Sequence, residues 1–292
     1  MKTSANPNDV CYVVDPGMGA HLQDLGRPGL SRFGVPRGGP MDPHAAGWAN
    51  QLLGNPPDSP VLELLLQGAK IAALRPVWAA VTGARANANV PLWRVVRMDA
   101  DDMITFGASQ SGVWTYIAIE GGFVDEPVLG SVATSPRVRL GRSLRRGAVI
   151  RAAADSRFSL PQGVAGRMAP SKEQRDYRNP PPLRVWPGPD WDAFPSTARS
   201  AFLHQPWTIS SRSDRSGYRL EGKPLPSTPK PGLSEPVLIG TVQVPEDGRP
   251  IVTLNDGPTV GGYPRLALVD QADLPWLTQC RSGQTVRFQG TA

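Results

Sequence analysis

Apolar and alternating runs of four to eight residues recur along the chain, at 11–14, 61–66, 77–81, 92–96, 103–106, 113–119 and 148–151, then at 183–186, 207–211, 237–244, 251–254, 266–269 and 284–288. Runs this short, separated by glycine- and proline-bearing stretches, predict β-strands, since a strand needs only a few residues to cross a sheet. Helical patterning is scarce. Asp42 can cap a helix with Pro43 at its first position and Gly54 just past its end. Two more helices are expected over 190–204, bent or offset at Pro195, and over 273–281, stopped by Gly283. The expected class is all-β with few short helices.

Between 155 and 182 the sequence turns polar and proline-rich, ending in Pro180-Pro181-Pro182. That composition predicts a linker or crossing loop. The expected organisation is an N-terminal barrel over 1–155, a crossing segment over 156–182 and a C-terminal barrel over 183–292. A faint internal echo supports two halves of similar build: Arg145-Arg146-Gly147-Ala148-Val149-Ile150-Arg151 and Arg281-Ser282-Gly283-Gln284-Thr285-Val286-Arg287 share Arg, Gly, a β-branched residue and Arg in register. Each reads as a turn feeding the last strand of a sheet that closes on itself and so removes its edges.

Composition narrows the function classes. The chain has 292 residues, 40% of them apolar, enough for one large or two ordinary packed cores. No stretch reaches the roughly 18 apolar residues of a membrane helix, and the first fifteen residues lack the apolar centre of a signal peptide. A cytoplasmic protein without a membrane role is expected. Cys11 and Cys280 cannot build a disulfide framework or a zinc site, so no metal is expected. The net charge is +6, carried by arginine, with five lysines among 31 basic residues. The densest group, Arg137, Arg139, Arg142, Arg145 and Arg146, reads as a solvated surface, and no motif supports nucleic-acid binding.

The stretch Asn255-Asp256-Gly257-Pro258-Thr259-Val260-Gly261-Gly262-Tyr263-Pro264 concentrates chemistry. It places a carboxylate, a hydroxyl and two glycines ahead of an aromatic ring. It reads either as a tight turn or as a site in which glycine N–H groups converge on an anion. Asp214-Arg215 is open in the same way, between a surface ion pair and a charge-stabilising site. Gly107-Ala108-Ser109-Gln110-Ser111-Gly112 misses the spacing of a nucleophile elbow, and His21, His44 and His204 stand in no triad setting. There is no phosphate-binding glycine loop ending in lysine.

Several segments, taken in order, resemble the allophanate hydrolase subunit 2 family, whose members are also called biotin-dependent carboxyltransferase-like proteins or the C subunit of 5-oxoprolinase. They are Gln23-Asp24-Leu25-Gly26-Arg27-Pro28-Gly29, Phe33 through Pro43, Ala49-Asn50-Gln51-Leu52-Leu53-Gly54-Asn55, Ser213-Asp214-Arg215-Ser216-Gly217-Tyr218-Arg219-Leu220, Val242-Gln243-Val244-Pro245 and the stretch from Asn255. The resemblance runs from about Val14 to Phe288 and implies two cyclophilin-like β-barrels. It also implies an enzyme subunit acting on a small amide, lactam or urea-type substrate together with a subunit 1 homologue. Biotin or ATP would enter only through a partner, because this chain has no biotinyl lysine setting. On that reading Asp256, Arg215 and Asp214 are catalytic, and Arg27, Gln243, Thr259, Gly261, Gly262 and Tyr263 bind substrate. Motif positions depart from the family: a basic or polar residue and one threonine are lost from the stretch Asn255–Tyr263, and Ser216 replaces a methionine. Pro236 replaces a glycine, and His21 a small hydroxyl residue. Two other readings therefore stand beside the first, a regulatory module that sequesters a subunit 1-like partner and a stand-alone enzyme such as a cyclase.

Overall fold

In the computed structural model, which describes residues 6–153 and 164–291, the chain divides into two units. One holds Met1–Arg27 and Gly38–Asp176, the other Pro28–Arg37 and Tyr177–Ala292. The expected order of barrel, crossing segment and barrel did not foresee that Pro28–Arg37 joins the second unit. Residues 154–163 of the expected crossing segment lie outside the described residues.

The first unit is a nine-stranded, nearly closed sheet of β1 (Asp9–Pro16), β2 (Ala20–Gln23), β3 (Val61–Leu65), β4 (Ala69–Ala73), β5 (Val77–Ala88), β6 (Arg94–Met98), β7 (Met103–Ile119), β8 (Phe123–Val124) and β9 (Val149–Ala152). The long β7 makes the curvature. Its start pairs with β4 through Lys70↔Thr105, and its end lies between β3 and β5 through Leu62↔Ile117 and Ala79↔Ile119. Val13, Leu22, Leu62, Ile71, Ile117 and Ile150 fill the interior. Helix α1 (Pro43–Leu53) starts and stops where its residues predict. The Asp42 carboxylate accepts the Ala45 N–H at 2.9 Å, and Gly54 takes the left-handed turn at φ +72°. A buried acid holds this cap in place. Glu63 Oε2 accepts the Met41 N–H at 2.8 Å and the Tyr116 hydroxyl at 2.9 Å, while that hydroxyl accepts the Asp42 N–H at 2.7 Å. Burial first, and then the Glu63 charge, push the Tyr116 phenol well above its ordinary range, so it stays a neutral donor.

The second unit contains β10 (Leu183–Pro187), β11 (Trp207–Ile209), β12 (Gly217–Glu221), β13 (Glu235–Pro236), β14 (Thr241–Gln243), β15 (Ile251–Thr253), β16 (Val260–Gly261), β17 (Arg265–Val269), β18 (Thr285–Val286) and β19 (Phe288–Gly290). Eight of these form a sheet ordered β18-β11-β12-β15-β14-β17-β10-β19. The last stretch closes it, since Val286 pairs with Trp207 on one side and Phe288 with Leu183 on the other. Phe202 of α2 (Ser196–His204) stacks on Phe288 at 4.7 Å between centroids, and Trp207 donates its indole N–H to the Phe202 carbonyl. Outside this sheet, β13 and β16 form a separate two-stranded ladder.

The fold class is all-β, as expected, while several element boundaries moved. The helix expected from 190 begins only after Pro195, because the Asp190 carboxylate instead accepts the Arg265 N–H at 2.8 Å. The helix expected over 273–281 shrinks to α3 (Leu274–Thr278). The strand expected over 237–244 survives only as β14. Gly147 and Gly283, the glycines of the internal echo, both adopt left-handed turns, at φ +80° and +83°, ahead of β9 and β18.

Two outcomes follow. Asp42→Ala should lower the unfolding free energy by about 1 kcal/mol, the usual worth of a helix cap; chemical denaturation giving no change would contradict the cap. Burial pushes the Cys11 and Cys280 thiols up from 9.0 to about 12. The folded chain therefore keeps protons that the unfolded chain loses, and the stability they contribute is complete below pH 9 and falls between pH 9 and about 12. Neither thiol should react with a disulfide-exchange reagent at about pH 8 until the protein is unfolded; rapid reaction of the native protein would show that the thiols are accessible.

Candidate functional site

Asp214 makes a tight turn ahead of β12. Its carboxylate accepts the Ser216 N–H at 2.7 Å, and its backbone exchanges hydrogen bonds with Gly217. Asp214 itself is exposed, but the turn aims the next side chain, Arg215, inward. There the guanidinium meets Asp256 in a two-pronged ion pair, Nε to Oδ2 at 2.8 Å and Nη2 to Oδ1 at 3.0 Å. Arg215 is 8% exposed and Asp256 4%. The two backbones are laced as well, the Asp256 N–H donating to the Arg215 carbonyl at 2.9 Å and the Leu254 N–H to the Ser216 carbonyl at 3.0 Å. A buried carboxylate is tolerated when such a fork supplies both charge and donors.

Gly257 allows this approach. A Cβ there would fall 2.6 Å from the Ser216 carbonyl oxygen, so any larger residue would push the loop off the turn that precedes β12. The far side of the loop faces an open cleft of about 420 Å³ within the second unit. Asn255, Pro258 and Thr259 form one wall, Val237–Ile239 another, and the Pro28–Arg37 segment contributes Ser31 and Arg37. A volume of this order suits a small organic ligand.

The structure distributes the sequence-derived site residues unevenly. Thr259 lines the cleft, and Asp256 lies directly behind its wall. Arg215 and Asp256, both expected to be catalytic, bind each other. Gln243 is 5% exposed within the barrel. Its Oε1 accepts the Thr253 hydroxyl at 3.3 Å, and its Nε2 is buried without a partner among the described residues. Neither Gly261 nor Gly262 adopts the left-handed conformation of an alternating nest. They serve close approach instead. A Cβ on Gly261 would lie 2.7 Å from Gln243 Nε2, and one on Gly262 would lie 2.9 Å from the Gly232 carbonyl. Tyr263 is 45% exposed and does not line the cleft. Arg27 belongs to the first unit, where it is 1% exposed and donates to the Val128 carbonyl at 2.9 Å and the Ser131 carbonyl at 3.1 Å. It clamps a loop.

Ser31, Arg37, Thr253, Asn255 and Gln271 are polar or charged cleft residues to which the sequence assigns no role. Only the glycine and proline density of Pro28–Arg37 hinted at a loop, and nothing in the sequence placed that loop on the second barrel. Ser109 Oγ donates to the Ser111 and Gly112 carbonyls, and among the basic group Arg142 and Arg146 pair with Asp125 and Asp15. A second cavity of about 410 Å³, along α1, contains none of the predicted site residues.

Asp256→Ala should cost about 3–5 kcal/mol of unfolding free energy, because it strands a buried guanidinium, whereas Asp214→Ala at the exposed turn should cost about 1 kcal/mol or less. Equal losses in denaturant titration would remove the pair from its central place.

Residues 33–290 match the family described as carboxyltransferase domain, subdomain A and B. The C subunit of the 5-oxoprolinase of Escherichia coli (strain K12) is 35% identical over 287 residues, spanning 94% of this chain and 89% of the relative. The crystal structure of TTHA0988 superposes with a TM-score of 0.87 at 34% identity, over 97% of this chain and 56% of that one. The K. lactis urea amidolyase structure gives 0.85 at 26% identity over 99% of this chain, which spans only 19% of the larger protein. This chain thus spans little more than half of the first of these structures and about a fifth of the second. The two barrel-like sheets, the full-length relative and the matched residues agree: the chain belongs to the family of carboxyltransferase domains, subdomains A and B.

Proposed function

We propose that this chain is an enzyme subunit that acts on a small amide, with lactams preferred to urea, together with a subunit 1 homologue. The observation that carries this reading is the likeness to the C subunit of 5-oxoprolinase along nearly the whole of both chains. The urea amidolyase likeness covers a small part of a much longer protein and supports only the shared domain.

The geometry supports a division of labour. The Arg215–Asp256 pair is a positioning device, not a pair of free catalytic groups: with both carboxylate oxygens engaged by Arg215, it holds Asn255 and Thr259 at the cleft wall. Asn255 and Thr259 then hydrogen-bond the amide, whose carbonyl needs a donor and whose N–H needs an acceptor. Gln243 supports this wall from behind through Thr253. Biotin or ATP, whichever activates the reaction, is brought by the partner, and the partner supplies the groups that touch it.

The test is reconstitution. The chain mixed with a subunit 1 homologue should open 5-oxoproline in the presence of ATP, and neither protein alone should do so. Asp256→Asn should cut kcat of the complex by about tenfold or more, the effect of misplacing a positioned group. Complex formation without turnover of 5-oxoproline, other lactams or urea would replace this reading with that of a regulatory binding module.

A further inference from the structure

Charge around the cleft of the second unit is unevenly balanced. Asp256 is neutralised by Arg215 behind the wall, and Asp270, which precedes the cleft residue Gln271, is 3.4 Å from Arg184 and accepts the Trp186 indole N–H. Of the residues lining the cleft, Arg37 alone carries a charge. Its guanidinium is exposed and makes no hydrogen bond or ion pair with any described residue, unlike Arg215, Arg27, Arg184 and Arg265, which are all engaged. Arg37 also sits on an inserted wall rather than on a barrel strand. It follows Pro36, which fixes the preceding backbone torsion, and precedes Gly38 at φ +68°.

We infer that Arg37 forms an anion subsite in this cleft, which takes the carboxylate of a small monocarboxylic acid. A guanidinium presents two parallel N–H donors that match a carboxylate, and no acidic side chain in the cleft competes for them. The remaining lining fits the rest of such a molecule. Leu254, Ile239 and Pro258 offer apolar surface, and Asn255, Thr259 and Ser31 offer hydrogen-bonding groups at the same mouth. Carboxylate binding thus falls to an arginine on the loop that the second barrel recruits, while Arg215 and Arg27 are engaged by the protein itself. A neutral substrate such as urea gains nothing from Arg37, whereas a lactam bearing a carboxylate does. The inference rests on the proposed function only for the identity of the natural ligand.

The experiment uses the full chain without a partner. 5-Oxoproline and its uncharged carboxamide are titrated separately while the arginine side-chain Nε–H signals are followed by NMR. The acid should shift the Arg37 signal and bind about tenfold more tightly than the amide, the range of a hydrogen bond to a charged group. Arg37→Gln should abolish that preference, Arg37→Lys should restore part of it, and Arg32→Gln, next to the segment's exposed Phe33, should leave it intact. Equal binding of acid and amide, no binding of the acid, or a preference that survives Arg37→Gln would overturn the subsite. Acid binding that depends on Arg37, in a chain whose reconstituted complex turns over no lactam, would uphold the subsite and count against the enzymatic reading alone.

Discussion

Removing a carboxylate and a guanidinium from water costs several kcal/mol for each ion, and only a close, forked pairing in a low-dielectric surrounding offsets this. The second barrel accepts that cost at Arg215 and Asp256, which lie 41 residues apart in sequence and on different segments. In return the loop after β15 is held from several sides. Its carboxylate is gripped at two oxygens, its backbone is bonded to the Arg215 and Ser216 carbonyls, and Gly257 presses against the same turn. A hydrophobic pair of equal volume would give comparable stability without this directional fit, so the ion pair is best understood as fixing geometry. Everything presented by Asn255, Pro258 and Thr259 to the cleft follows from that fixed position.

The first barrel uses the same logic for a different end. Glu63, fully buried, gathers the Met41 N–H and the Tyr116 hydroxyl, and that hydroxyl in turn holds the backbone of Asp42 as it caps α1. Arg27 and Asp24 tie the 128–132 loop in place through the Val128 and Ser131 carbonyls, the Ser131 hydroxyl and the Val132 N–H. In both units, polar groups buried beside the sheet determine where the loops go, while the aliphatic interior supplies the bulk of the stability.

Much of the fold was legible because strand rhythm and turn chemistry are local. Asp42, Pro43 and Gly54 marked α1 correctly because capping depends on neighbours within one turn. The helix at 190–204 was overextended because Asp190 is recruited by Arg265, 75 residues away, and local pattern carries no information on such a partner. The site was legible in its residue types but not in their roles. Asp256 and Arg215 were both singled out, yet their pairing with each other is a tertiary fact that no local pattern carries. The glycines at 261 and 262 announced tight backbone but not its sense, since close approach and left-handed turns select the same residue. Arg37 was invisible because its importance comes from which barrel its segment joins.

The cleft wall depends on the coupling between Arg215 and Asp256, and a double-mutant cycle measures that coupling directly. Unfolding free energies of the parent, Arg215→Met, Asp256→Leu and the double variant should give a coupling of about 2 kcal/mol or more, with the double variant less damaged than the two single losses combined. Single losses that simply add, leaving a coupling near zero, would show that the two residues do not act as a unit and that the cleft wall is held by something else.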